Sequence, residues 1–333
     1  MRKGFLMSLV CLAASVSSGC LADESYQEHP QARQLVERMV ADHDFDREAL
    51  LDLFAKVEKK QSIIDAMERP AERVKPWHEY RKIFIQEQRI SQGVEFWRHN
   101  ADDLARAQRE YGVDPAIIVA IIGVETSYGR ITGSYRVMDA LATLAFDYPK
   151  RSPFFTKELE NFLLLTREQG KDPLSLKGSY AGAMGYGQFM PSSYRNYAVD
   201  FDGDRKIDIW NNTSDAIGSV ANYFVRHGWR SNQPVAIRAT ARAGYTEAGL
   251  NELKVPDATL DDLRQRGFAP AAGGLDADVA AVPLRLELEN GEEFWLGFDN
   301  FYVITRYNHS YRYAMAVYQL SELIRERMGR EAS

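Results

Sequence analysis

Between Pro30 and Arg109 apolar residues recur three and four positions apart. The stretches LVERMV (35–40), ALLDLFAKVEKK (49–60) and EYRKIFIQEQRI (79–90) therefore predict a series of amphipathic helices with few glycines. The pattern changes at Asp114-Pro115, which reads as an N-cap followed by proline in the first helical position. The residues that follow, AIIVAIIGV (116–124), are apolar on every side, which predicts a central helix buried all round. Asp172-Pro173 and Thr213-Ser214 mark further helix starts or turns, and Gly228 is a stop after AIGSVANYFVRH. After about residue 231 the period shortens to two: VAIRATARAG, PLRLELEN and EEFWLGF predict strands, with ENGE as a hairpin turn. Pro, Gly and Ala cluster between them, and helical spacing resumes in YRYAMAVYQLSELIRERM. The expected fold is mainly α, of the α+β kind, with a small β insertion and no fixed-period repeat.

Length adds that two or three packed domains are available to these 333 residues. The first nineteen stand apart: Arg2 and Lys3, an apolar run from Gly4 to Val16, then SSG before Cys20. That is the layout of a secretory signal, and its apolar run is too short to span a bilayer. SSGC resembles the lipobox of bacterial lipoproteins, with Ser17 where Leu is usual, so Cys20 is the expected lipidation site; simple cleavage and secretion is the alternative. Leu21 after Cys20 resembles lipoproteins sent on to the outer membrane. No cysteine follows Cys20, which excludes a structural disulfide and a cysteine metal site in the mature chain. Removing Arg2 and Lys3 leaves 39 basic against 47 acidic side chains, about −8, which argues against a nucleic-acid partner.

Four stretches carry candidate chemistry. In IIGVETSYG (121–129), Glu125 closes the apolar helix; burial raises a carboxyl's pKa towards that of a general acid, whereas a solvated helix end is the bland reading. GSYAGAMGYGQFMPSSY (178–194) combines glycines, which permit close backbone approach, with Ser179, Tyr186, Gln188 and Phe189, the mixture of hydrogen-bonding groups and aromatic faces that carbohydrate sites use. No Lys-Ser or Lys-Thr follows the glycines, so it is not a phosphate loop; a tightly packed turn is the structural alternative. DFDGDRKIDIW places Asp200, Asp202 and Asp204 at alternate positions of a curling loop, as calcium favours, with the Lys206 carbonyl at loop position seven. Arg205 stands where glycine is usual and Asn211 where a bidentate Glu is usual, leaving Asp215 to close the shell; a solvated acidic turn is the alternative. In FYVITRYNHSYRY, Tyr307, Asn308, Tyr311 and Tyr313 line a sugar groove or belong to the core. The six histidines show no metal-ligand spacing.

Taken in order, IIGVETSYG, GSYAGAMGYGQFMPSSY, DFDGD, AIGSVANYF and FYVITRYNH resemble the membrane-bound lytic murein transglycosylase B family over about residues 30 to 320. The resemblance implies a lysozyme-like core with an EF-hand-type calcium loop, an N-terminal helical domain and a small β domain. The corresponding division is a signal peptide 1–19, a helical domain 20–105, a catalytic core 106–230, a β-containing domain 231–297 and a completing segment 298–333. The implied reaction cuts the β-1,4 bond between N-acetylmuramic acid and N-acetylglucosamine in peptidoglycan. Glu125 would serve as acid and then base, and the muramic acid O6 would attack C1 to leave a 1,6-anhydro end. No second carboxyl lies near Glu125 in sequence, Asp139 and Asp147 reading as structural; the substrate's 2-acetamido group can replace it. By position Ser179 would hydrogen-bond the catalytic carboxyl, and Gln188 and Phe189 would contact acetamido groups. Tyr223, Tyr307, Asn308 and Tyr313 would shape the cleft, with Tyr80 reaching in from the helical domain. Lys150-Arg151 stands where the family has an Arg pair for the peptide stem, so the planar grip falls to Arg151. Asp200, Asp202, Asp204, Asp215 and the Lys206 carbonyl carry over as ligands of a structural Ca2+, with no organic cofactor. Also implied are glycan strands as substrate, an outer-membrane lipid anchor, partners among cell-wall synthesis proteins and a monomer. Two other readings are a hydrolytic muramidase on the same fold and a non-catalytic wall-binding lipoprotein.

Overall fold

A computed structural model of the chain describes residues 25–69 and 75–332, so the signal segment and Cys20 lie outside the described residues. The organising element is the central helix Pro115–Thr126. Asp114 caps it, accepting the Ala116 amide at 2.8 Å, and Pro115 occupies the first turn. Every residue from Pro115 to Val124 is buried, as a helix without a polar stripe requires. Helices Glu87–His99, Ala101–Tyr111, Thr213–Arg226 and Tyr311–Ala332 pack around it. Each fully enclosed isoleucine or valine contributes about 1.5–3 kcal/mol of burial, and Ile117, Ile118, Val119, Ile121 and Ile122 are all of that kind.

A second helical layer pairs Val137–Phe146 with Ser152–Glu168. Here the acids read as structural are tied down. Asp139 accepts from the Arg136 guanidinium at 2.7 and 2.9 Å and from the Glu58 amide at 3.1 Å. Asp147 accepts the Tyr26 hydroxyl at 2.5 Å and pairs with Lys59 at 2.8 Å.

Two expected helices are shorter than their spacing suggests. The run 49–60 leaves the helix Arg47–Phe54 at its end, because the amides of Glu58 and Lys60 bond to Asp139 and Thr143 on the neighbouring helix, each at 3.1 Å. The run 79–90 is two helices, Trp77–Phe84 and Glu87–His99, broken at Ile85-Gln86. A continuous helix would place Ile90 about 120° round the axis from Phe84; the break lets both be buried.

The strands expected after residue 231 form one antiparallel sheet. Its order is Ala258–Thr259, Ala280–Glu287, Glu292–Gly297, Ala236–Ala241, Phe268–Pro270. Gly291, at φ +93°, makes the hairpin turn. Alternation along Ala280–Glu287 splits its side chains. Val282, Leu284 and Leu286 join the main core, while Ala281 joins Leu260, Leu263, Phe268, Leu296 and Phe298 in a small separate core. Helix Asp299–Tyr307 then returns the chain to the centre, and Tyr311–Ala332 lies along the central helix.

Candidate active site

Glu125 is the penultimate residue of the central helix and is half-buried between buried Val124 and Thr126. Its Oε1 accepts a hydrogen bond of 2.6 Å from the hydroxyl of Tyr313, which is 2 % exposed and comes from the C-terminal helix. Burial and the nearby Glu125 charge hold the Tyr313 hydroxyl well above the usual phenol range, so it is a permanent donor. Helix Trp77–Phe84, which carries Tyr80, packs against the C-terminal helix that carries Tyr313.

Tyr307 joins the glycine-rich loop to this group. Its hydroxyl, likewise held up by burial and by Glu125, donates to the Gly187 carbonyl at 2.5 Å. A Cβ on Gly187 would stand 2.8 Å from that hydroxyl, so the close approach depends on glycine. A second tie lies beside Glu125: Thr126 Oγ1 is 2.9 Å from the Tyr186 carbonyl and accepts the Gly129 amide at 3.0 Å. Behind the loop, Phe189 packs 5.9 Å from Tyr223 and 6.0 Å from Tyr307. Tyr223 donates to the Arg306 carbonyl at 2.7 Å. The structure thus pairs Glu125 with Tyr313 and gathers Tyr307, Phe189 and Tyr223 at the glycine-rich loop, while the ring of Tyr80 packs on Trp77 and Phe84 of its own helix.

Other candidates are occupied locally. Ser179 Oγ accepts the Ala183 amide at 3.1 Å, closing its own turn. Gln188, at φ +50°, donates from its side-chain amide to the carbonyls of Thr132 (3.1 Å) and Gly185 (3.0 Å). Asn308 is exposed at the end of helix Asp299–Tyr307. Arg151 is exposed, its guanidinium 4.5 Å above the ring of Phe154 and 5.1 Å above that of Phe155.

The acidic loop gathers Asp200, Asp202 and Asp204, whose carboxylate oxygens lie within 4.8 Å of one another. Asp200 accepts the amides of Gly203, Asp204 and Arg205. The Asn212 amide, with the Asp204 backbone, holds the Asp202 carboxyl below the usual range. Arg205 adopts φ +70°, so the backbone makes the left-handed turn that glycine normally supplies. Asp215 is completely buried and grips both ends of the loop, accepting the Phe201 amide at 2.8 Å and the Asp208 amide at 2.7 Å. Burial pushes its carboxyl up, against the pull of those amides. It is not one of the group of three, and its two bonds brace the loop from beneath. The donor set is hard oxygen throughout, which suits a calcium-sized cation and not a soft metal.

Sequence reading missed Thr126, Tyr197 and His227. His227 follows Tyr223 by four residues on one helix face, a spacing that makes the two neighbours; their rings stack at 4.0 Å and 21°. Tyr197 meets Tyr223 edge-on at 5.0 Å.

The pattern of the family described as Transglycosylase SLT domain matches residues 27–322. Membrane-bound lytic murein transglycosylase B of Escherichia coli is 46 % identical over 308 residues, covering 90 % of this chain and 84 % of that protein. The soluble lytic transglycosylase SltB1 of Pseudomonas aeruginosa superposes with a TM-score of 0.86 at 56 % identity, covering 90 % of this chain and 100 % of that one. The Escherichia coli lytic transglycosylase Slt35, solved in complex with calcium, gives 0.83 at 45 % identity, covering 91 % and 95 %.

Burial lowers the pKa of His227 below its ordinary 6.5. The neutral ring is therefore the folded form, and stability present above pH 6.5 is lost as pH falls towards the depressed folded value. In His227→Phe the stack is kept and the titration removed. The thermal midpoint of the wild type relative to that variant is expected to be level above about pH 7.5 and to fall steadily below pH 6.5. A difference independent of pH from 8 to 5 would contradict the assignment.

Proposed function

The chain belongs to the lytic transglycosylases that carry the Transglycosylase SLT domain, and from that premise we propose that Glu125 is the single acid/base of its reaction on peptidoglycan. The enzyme cuts the β-1,4 bond between N-acetylmuramic acid and N-acetylglucosamine and leaves 1,6-anhydromuramyl ends. The observation that carries the role of Glu125 is its bond to Tyr313: a carboxyl at the end of an apolar helix, oriented by a buried neutral donor.

In this reading the protonated Glu125 gives its proton to the bridging oxygen as the C1–O bond breaks, the electron pair leaving with that oxygen. The resulting carboxylate takes the proton of the muramic acid C6 hydroxyl, whose oxygen closes on C1. No water is consumed and Glu125 regains its proton. Charge at C1 is stabilised by the 2-acetamido group in place of a second carboxylate. Tyr313 fixes Oε1, so the exchanged proton resides on Oε2. The Ser179 hydroxyl accepts the Ala183 amide and keeps its own proton to donate to Glu125 once that group is charged. The Gln188 amide nitrogen is engaged by two carbonyls, so its carbonyl oxygen is the atom to receive an acetamido N–H, beside Phe189. Tyr80, Tyr223, Tyr307 and Asn308 shape the cleft, and exposed Arg151 suits a stem-peptide carboxylate.

Asp200, Asp202, Asp204 and the Lys206 carbonyl would hold a calcium ion, with Asp215 closing the shell, and bound there it would neutralise the clustered carboxylates and brace the loop. The division at residues 105, 230 and 297, lipidation at Cys20, outer-membrane anchoring, a monomeric state and cell-wall synthesis partners belong to the same reading. Among the described residues no helix is long and apolar enough to cross a membrane.

Digestion of peptidoglycan in ¹⁸O-water tests the chemistry. Wild-type products are expected to be anhydromuropeptides, lighter by one water than hydrolytic products and free of the label, and Glu125→Gln should lose about 10²–10⁴-fold in rate. Labelled reducing ends would mean hydrolysis, and full activity of the variant would remove Glu125 from its role.

Calcium is tested by stability. In chelator-treated protein, titrated calcium should raise the thermal midpoint, by the equivalent of about 2.7 kcal/mol at a hundredfold excess over Kd, and Asp202→Asn should abolish most of that rise. An unchanged midpoint through millimolar calcium would exclude the ion.

A further inference from the structure

The chain leaves the central helix through three successive left-handed residues, Ser127 (φ +49°), Tyr128 (φ +62°) and Gly129 (φ +84°). A tyrosine and a serine held there are disfavoured by roughly 1–2 kcal/mol each, so something must over-determine the turn. The reversal sends the Tyr128 ring back along the helix it has just left. Its hydroxyl lies where two glycines make room: a Cβ on Gly123 would stand 2.5 Å from it, and one on Gly93, in the helix Glu87–His99, 2.6 Å. There it donates to the Arg89 carbonyl at 2.9 Å, with the ring 5.6 Å from Phe96. Arg89 answers in the other direction: its guanidinium donates to the Gly123 carbonyl, which also accepts the Ser127 amide at 3.1 Å. Glu125 sits between these two attachment points.

On the reading that Glu125 is the acid/base, we propose that Tyr128, locked by Arg89, Gly93 and Gly123, is a positioning residue that sets the rotation and depth of the Glu125 carboxyl. Tyr313 grips the carboxyl at its tip; the Tyr128 clamp grips the backbone beneath it. Displacements below an ångström at a reacting group cost large factors in rate, so the clamp acts on turnover rather than on substrate affinity.

The test measures kcat, KM and the pH–kcat profile on purified glycan strands for Tyr128→Phe, which loses one oxygen, and for Gly93→Ala, which crowds that oxygen out. Each is expected to lower kcat about tenfold, to leave KM within about twofold, and to move the acid–base limbs of the profile. Arg89→Met should do the same, and the double variant Tyr128→Phe/Arg89→Met should be no worse than the poorer single one, as for one device. Should Gly93→Ala or Arg89→Met fail to fold, Tyr128→Phe still decides. A Tyr128→Phe enzyme with a lower thermal midpoint but wild-type kcat and profile would reduce Tyr128 to a stability role. Glu125→Gln in the same assay separates the two ideas: activity there overturns the acid/base reading itself, whereas its loss beside an unaffected Tyr128→Phe overturns the clamp alone.

Discussion

A helix without a polar face must be surrounded, and the residues Pro115 to Val124 make that demand on the whole chain. Four helices supply the enclosure, drawn from positions as far apart as Glu87 and Ala332. Enclosure of this sort allows a carboxylate at one place, where the helix meets the surface. Glu125 stands there, at the C-terminal end, where the helix dipole and the unpaired carbonyls are unfavourable to negative charge. The surroundings supply compensation on both sides. The Tyr313 hydroxyl reaches the carboxyl itself, and the Arg89 guanidinium reaches the Gly123 carbonyl one turn below. The Glu125 carboxyl is thus held both at its tip and through the backbone beneath it.

Tyrosine is the residue that fastens this arrangement together. Its ring can be buried while its hydroxyl donates to a backbone carbonyl of another segment. Tyr307 does so at Gly187, Tyr223 at Arg306, Tyr194 at Ile207, Tyr128 at Arg89 and Tyr318 at Ala236. Burial keeps these hydroxyls protonated, with Tyr318 pushed up to about 12. Tyr26 and Tyr313 instead donate a hydrogen bond to a carboxylate, and their settings differ. At Asp147 the acceptor is also paired with Lys59, a neutralised structural contact. At Glu125 the bond comes from a tyrosine on the C-terminal helix that is almost wholly buried. The same kind of bond therefore supports an ion pair in one place and fixes the orientation of the Glu125 carboxyl in the other.

Much of this was legible in the sequence because period and capping are local. The all-round apolar run 116–124, the Asp114-Pro115 start, the change to period two after residue 231 and the spacing of Asp200, Asp202 and Asp204 each describe a short segment in its own terms. What was not legible depends on contacts between distant segments. The run 49–60 has helical spacing throughout, yet Asp139 and Thr143, some eighty residues on, compete for its amides and win. Tyr311 and Tyr313 are alike in sequence, and only the docking of the last helix against the central one decides that Tyr313 meets Glu125. The fold class rests on features of the first kind. The roles of Ser179 and Gln188 depend on the second: Ser179 Oγ accepts an amide of its own loop, and the Gln188 amide nitrogen bonds both its own loop and Thr132, some fifty residues away.

The acidic loop and the glycine-rich loop look separate in sequence but are mechanically one. The segment leaving the acidic loop runs Ile207 to Trp210, and the Ile209 carbonyl accepts the Tyr186 amide at 2.9 Å, while Ile207 accepts from Tyr194 and Trp210 Nε1 donates to Lys177. Gly185 lies against Ile209 so closely that a Cβ would stand 2.4 Å from its carbonyl oxygen. The position of residues 185–189 is therefore tied to where residues 207–210 run. That in turn depends on Asp215, which holds the amides of Phe201 and Asp208 together across the loop. Three carboxylates within 4.8 Å of one another repel, and backbone amides and Asn212 offset that repulsion with partial charges. The acidic cluster is thus coupled through Asp215 to the exit segment, and the exit segment to the glycine-rich loop that is tied to Thr126 beside Glu125.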